Sequence, residues 1–136
     1  MAKRILRCIH AIIMMSVIFI ASGTPGEDLP EFGIIDFFVK KGGHMVGYAL
    51  LAVSFFMALY AGNGQKTTRT TVLALVLSVL YAVSDEYHQS FVPGRSAAAS
   101  DVCIDTVGMM AGLAVLHFFM NRKKQAAHVP VKGARS

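Results

Sequence analysis

Four long apolar segments dominate this chain, at residues 5–21, 42–61, 70–83 and 101–120, with polar stretches between them. Hydrocarbon offers a backbone no hydrogen-bond partners, so a segment crossing it must satisfy its own N–H and C=O groups, which a helix does. A crossing takes about 20 predominantly apolar residues. The third segment reaches that length if its helix continues through the polar run "SDEYHQS" at residues 84–90. Only 15% of residues are charged and the mean hydropathy is +0.54, too apolar for a soluble core wrapped in polar surface. The prediction is an all-α polytopic membrane protein with four transmembrane helices. Residues 1–121 form its single domain, and residues 122–136 form a basic, poorly ordered tail.

The first segment follows Lys3 and Arg4, contains Arg7, and ends in "ASG", so it resembles a signal peptide. Its long apolar run in a chain with further spans favours a retained helix. His10, near the basic end, reads as an interfacial or packing side chain. The stretch "LPEFGIIDFFVKK" at residues 29–41 is too short to span. It reads as an interfacial or re-entrant helix, with Asp28 near its N-cap and Pro30 in its first turn. The loop "GNGQKTTR" is short and turn-rich, as a helix hairpin requires.

Charge sets the orientation. Of thirteen Lys and Arg residues, only Lys40, Lys41 and Arg95 fall on the side opposite the termini, so the positive-inside rule makes both termini cytoplasmic. All eight acids fall on or near the outer side. The chain has no Trp, which leaves interface anchoring to Tyr, Phe and the basic residues. The net charge of +5 does not indicate nucleic acid, because the basic residues adjoin apolar spans and no nucleic-acid motif is present. Cys8 and Cys103 show no metal or redox spacing and fall at opposite membrane faces, so they read as unpaired, buried, small apolar residues.

Polar residues concentrate at the outer helix ends. Lys40, His44 and Tyr48 follow i, i+4, i+8 on one face, and Lys41 is three residues before His44. Gly43 and Gly47 form a small-xxx-small pair that suits close helix packing. At the end of the third span Asp85, His88 and Gln89 share a face, with Glu86 beside it. "VPGR" then predicts a turn, with Pro93 at i+1 and Gly94 free to adopt positive φ, that brings Arg95 back over the helix ends. Ser96 or Ser100 is expected to cap the fourth helix. Asp101, Asp105, Gly108 and Gly112 lie along one face of it, predicted to pack inward. A charge at Asp105, one turn inside, needs a partner, and Lys40, Lys41, His44 and Arg95 are the options. These residues read either as an ionic network holding helix ends together or as a site.

The pattern resembles the VanZ-like family of bacterial membrane proteins. It consists of Lys41, His44 and Tyr48 as KxxH with a tyrosine four residues on, then DExxQxFxPGRxxxxxD from Asp85 to Asp101 and a glycine-rich fourth helix. The resemblance covers residues 36–115 and places an asparagine where this chain has Asp105. It implies a compact bacterial inner-membrane protein, an outward-facing functional site, and an association with glycopeptide (teicoplanin-type) resistance.

Two functions follow as expectations. In the first, the protein binds or modifies an anionic lipid-linked envelope substrate at the outer leaflet. Arg95 and Lys41 would hold phosphate or carboxylate. His44 and Asp85 would exchange protons. Tyr48, Glu86, Gln89, Asp101 and Asp105 would complete the pocket. In the second, a non-enzymatic module alters how cell-wall precursors or antibiotics are presented. A metal site from His44, His88, Asp85, Glu86 and Asp101 is disfavoured, because there is no HExxH motif or Cys cluster. A transporter is disfavoured by the absence of an obvious broken span. The partners expected are membrane lipids, and no cofactor is implied.

Overall fold

The structure, a computed structural model, describes residues 2–25, 34–60, 67–95 and 97–127. They form four helices: α1 (Ala2–Ser22), α2 (Ile34–Leu59), α3 (Thr67–Gln89) and α4 (Ala99–Ala127). At 1.5 Å per residue these run about 31 to 43 Å, against about 30 Å of hydrocarbon. All four are long and apolar enough to cross a membrane. Asp28 and Pro30, expected to start a separate interfacial helix, lie outside the described residues. Residues 34–41, expected in the same short helix, are instead continuous with α2. The chain also remains helical beyond Asn121, as far as Ala127, because "NRKKQA" holds no helix breaker.

The contacts give an up-down-up-down order. The start of α1 meets the end of α2, where an Arg7 guanidinium nitrogen donates to the carbonyl of Tyr60 at 2.9 Å. The end of α1 meets the end of α3, and Thr71 near the start of α3 meets His117 near the end of α4. Helix α2 is central and packs against the other three, most extensively against α4.

The seam between α2 and α4 follows from two glycines. A Cβ on Gly108 would overlap the carbonyl oxygen and side chain of Met45, and one on Gly112 would lie 2.8 Å from the carbonyl oxygen of Ala49. The predicted inward face of α4 is therefore a line of backbone-to-backbone approach, as in other small-xxx-small packings. The other expected pair does not do this. Gly43 meets nothing within 4 Å, and Gly47 meets only the Ile18 side chain at 3.6 Å. Neither glycine therefore brings a second backbone close to α2.

The bundle is apolar outside and small or polar inside. Helix α3 buries Thr70, Ala74, Ser78, Ala82, Asp85 and Gln89, while Leu73, Val76, Leu77, Leu80 and Val83 are exposed. Lipid solvates such apolar flanks, so association rests on close packing and hydrogen bonds rather than on hydrophobic burial. The larger core side chains, Tyr48, Leu51, Phe56 and Met109, come from α2 and α4. Inside and on the flanks, hydroxyls such as Ser78 and Thr106 donate to carbonyls one turn back, which satisfies them without water. Cys8 and Cys103 are unpaired as expected, but both are exposed rather than buried. Their small apolar side chains suit a lipid-facing flank as well as a core.

The seam makes a paired prediction. Gly108→Ala forces α2 and α4 apart and should destabilise the protein by about 1–3 kcal/mol. Gly43→Ala fills open space and lowers chain entropy in the unfolded state, so it should be neutral or stabilise by about 0.5–1 kcal/mol. Unfolding of both variants in the same mixed micelles measures the contrast.

Candidate functional site

The site is built around one buried carboxylate. Asp85 is 3% exposed, and its Oδ2 accepts from Ser22 Oγ at 2.7 Å, Tyr48 Oη at 3.0 Å and Gln89 Nε2 at 3.0 Å. These donors come from α1, α2 and α3. An ionised carboxylate is acceptor-only and can take several donors, so convergence on one oxygen suits its chemistry. The other oxygen, Oδ1, is buried and has no hydrogen-bond partner among the described residues. The Tyr48 ring lies between His44 and Tyr81, with centroids 6.2 and 6.3 Å away. Tyr81 donates to the Met15 carbonyl at 2.6 Å and fixes α3 on α1.

A second polar group lies at the same end of the bundle. Lys41 pairs with Asp101, joining the starts of α2 and α4, and both side chains are partly exposed. Glu86 accepts the Ala98 N–H at 2.5 Å, and Ala98 in turn accepts from the Asp101 N–H at 2.8 Å. Glu86 thus seats the first turn of α4 from across the turn. Ser100, one of the two expected caps, lies inside that first turn and hydrogen-bonds Asp101 at 3.4 Å, so it is not the N-cap. Ser96, the other, is outside the described residues.

The predicted turn forms as expected. The Arg95 N–H bonds the Val92 carbonyl at 3.2 Å, and Gly94 has φ of 71°, a left-handed value that favours glycine. The turn does bring Arg95 back over helix ends, but onto α1 rather than onto the acids. Its Nη2 donates to the Ala21 carbonyl at 2.8 Å and its Nε to the Thr24 carbonyl at 3.2 Å. Carbonyls at a helix C-terminus have no intrahelical donor and carry partial negative charge, which a guanidinium satisfies.

The remaining predicted residues divide between the two groups. His44 lies within electrostatic range of Asp85, Arg95, Asp101 and Lys41, and makes no hydrogen bond among the described residues. Asp105 is 5% exposed and within range of Asp101, Glu86, Asp85 and Lys41, again without a hydrogen bond there. Of its expected partners, Lys41 is engaged by Asp101 and Arg95 by α1, and the side chain of Lys40 is outside the described residues. His88 stacks on Phe19 of α1, with centroids 4.5 Å apart. His10 bonds the Leu6 carbonyl at 2.9 Å, one turn back. No three His, Cys, Asp or Glu among the described residues converge as a metal ion would need.

Ser22 is the site residue that sequence reading missed. It lies in "ASG", which reads as a helix end or cleavage site. Among the described side chains of α1, Ala11, Ile18 and Ser22 are buried, at spacings of seven and four, so a hydroxyl on an otherwise apolar face was the available signal.

The Asp85 knot makes its own prediction. Tyr48→Phe removes one donor to a buried acceptor and should cost about 2 kcal/mol. Asp85→Ala strands three donors and should cost more, about 3 kcal/mol or above. A double-mutant cycle between Tyr48→Phe and Ser22→Ala, read by unfolding in micelles, should show coupling, because both donate to the same oxygen.

No curated protein and no solved structure is significantly similar to the chain. The sequence model of the VanZ/LLP1 family matches residues 7–120. That is wider than the stretch carrying the motifs and takes in most of α1, including Ser22. With most of its length matched, the chain belongs to the VanZ/LLP1 family of membrane proteins.

Proposed function

We propose that this protein binds the headgroup of an anionic, lipid-linked cell-envelope molecule at the outer leaflet of the bacterial cytoplasmic membrane, with both termini in the cytoplasm. The observation that carries the reading is the gathering of the motif's polar side chains at one end of a bundle whose flanks are apolar. Two basic groups there retain donor capacity. A guanidinium has five N–H donors, and the bonds to Ala21 and Thr24 use only Nη2 and Nε of Arg95. His44 has both ring nitrogens unbonded among the described residues. Lys41 is partly exposed in its pair with Asp101, where an incoming phosphate would compete for it.

Binding is favoured over proton transfer by one feature. His44 makes no hydrogen bond to Asp85 among the described residues, and the three donors that hold this carboxylate, Ser22, Tyr48 and Gln89, leave the imidazole unoriented as a base. A module that changes how cell-wall precursors or antibiotics are presented needs only the binding contacts. A link to glycopeptide resistance would follow from such presentation.

Thermal unfolding with and without a polyprenyl phosphate tests the reading. Arg95→Ala should lower ligand-free stability by only about 1 kcal/mol, the scale of a lost helix-end interaction, and should abolish protection by the phosphate. His44→Gln should keep that protection. Protection unchanged in Arg95→Ala would reject the anionic-headgroup reading. Topology is checked in a variant lacking both native cysteines. Ser90→Cys should react with an impermeant maleimide on intact cells, and Thr68→Cys only after permeabilisation.

A further inference from the structure

We infer that the flank between the end of α3 and the start of α4 is a binding groove for a membrane amphiphile with a primary-amine headgroup, whose ammonium the Glu86 carboxylate receives. The groove has a volume of about 420 Å³ and is walled mainly by Val83, Tyr87, Ala98 and Val102. Val83 and Tyr87 are exposed on the flank of a helix long enough to span, so the groove opens sideways, toward lipid. The room comes from "AAA" at residues 97–99, whose side chains end at Cβ opposite the bulk of α3. Such a wall suits an acyl chain, and its polar groups are Glu86 and Ser90.

Those two groups select the headgroup. Glu86 uses Oε1 for the Ala98 N–H, and its Oε2 has no hydrogen-bond partner among the described residues. The Ser90 hydroxyl donates to the Tyr87 carbonyl at 2.6 Å, which leaves its oxygen able to accept. The groove therefore offers acceptors. Its field is negative as well: Glu86 lies in range of Asp85 and Asp101, and the cation in that range, Lys41, is paired with Asp101. An anionic headgroup would be repelled. A protonated primary amine brings three N–H donors and the complementary charge. A metal ion is a poor fit, because no three ligating side chains converge among the described residues. The groove uses neither His44 nor Arg95, so it is separate from the anionic-headgroup site and stands or falls without it.

The test uses the full chain in phosphatidylcholine nanodiscs containing a trace of phosphatidylethanolamine with a photoactivatable acyl chain. A phosphatidylglycerol probe with the same acyl chain is run in parallel. Crosslinked peptides are mapped by mass spectrometry. The amine probe should label Val83, Tyr87 and Val102 about tenfold more than the glycerol probe, the scale of a charge-assisted hydrogen bond. Glu86→Gln should remove that preference. Its amide oxygen still accepts the Ala98 N–H, and unchanged labelling of exposed Ile12 and Ile13 on α1 reports an intact fold. Val102→Trp, which fills the groove without altering charge, should suppress labelling there by both probes. Equal labelling by the two probes, preference for phosphatidylglycerol, or a preference that survives Glu86→Gln would overturn the assignment.

Discussion

A carboxylate 3% exposed inside a membrane bundle has to be compensated locally, and the way Asp85 is compensated ties one end of the bundle together. One oxygen draws a serine from α1, a tyrosine from α2 and a glutamine from its own helix. Neutral donors do this without a second buried charge, which would carry its own desolvation cost. Because the donors come from different helices, the knot fixes where α1, α2 and α3 end relative to one another. The motif residues are therefore structural before they are functional. The Oδ1 atom, unpartnered among the described residues, is the part of the knot that packing does not explain.

Helix ends pose the same problem in backbone form. The last carbonyls of a helix lack donors, and a low dielectric raises the cost of leaving them so. Two arginines from distant parts of the chain address it: Arg7 reaches the end of α2, and Arg95 reaches the end of α1. Arg95 is thus a structural cation with donor capacity left over.

Electrostatics divides the polar end of the bundle into two regions. Lys41, His44 and Arg95 give one region cationic or donor character. Glu86, backed by Asp85, Asp101 and Asp105, leaves the α3–α4 flank negative. The two regions sit a few residues apart in sequence because the Pro93–Gly94 turn sends Arg95 toward α1 while Glu86 reaches toward α4.

The four spans, their order, the Pro93–Gly94 turn and the inward glycine face of α4 were all legible in the sequence. Each depends on local physics: helix length against bilayer thickness, fixed φ at proline, free φ at glycine, and 3.6-residue periodicity. The same local rules read Gly43 and Gly47 as a seam and Cys8 and Cys103 as buried, and the structure differs on both. Periodicity says which residues share a face, but not which neighbour, or whether lipid, lies against it. The motif indicated that Asp85, Gln89 and Tyr48 belong together. Only the tertiary structure brought in Ser22, turned Arg95 onto the carbonyls of α1, and left Asp105 without a hydrogen bond among the described residues. Partner choice for a buried charge is settled by the closest donors across helix interfaces, and those distances are set when four helices pack, not by any one of them.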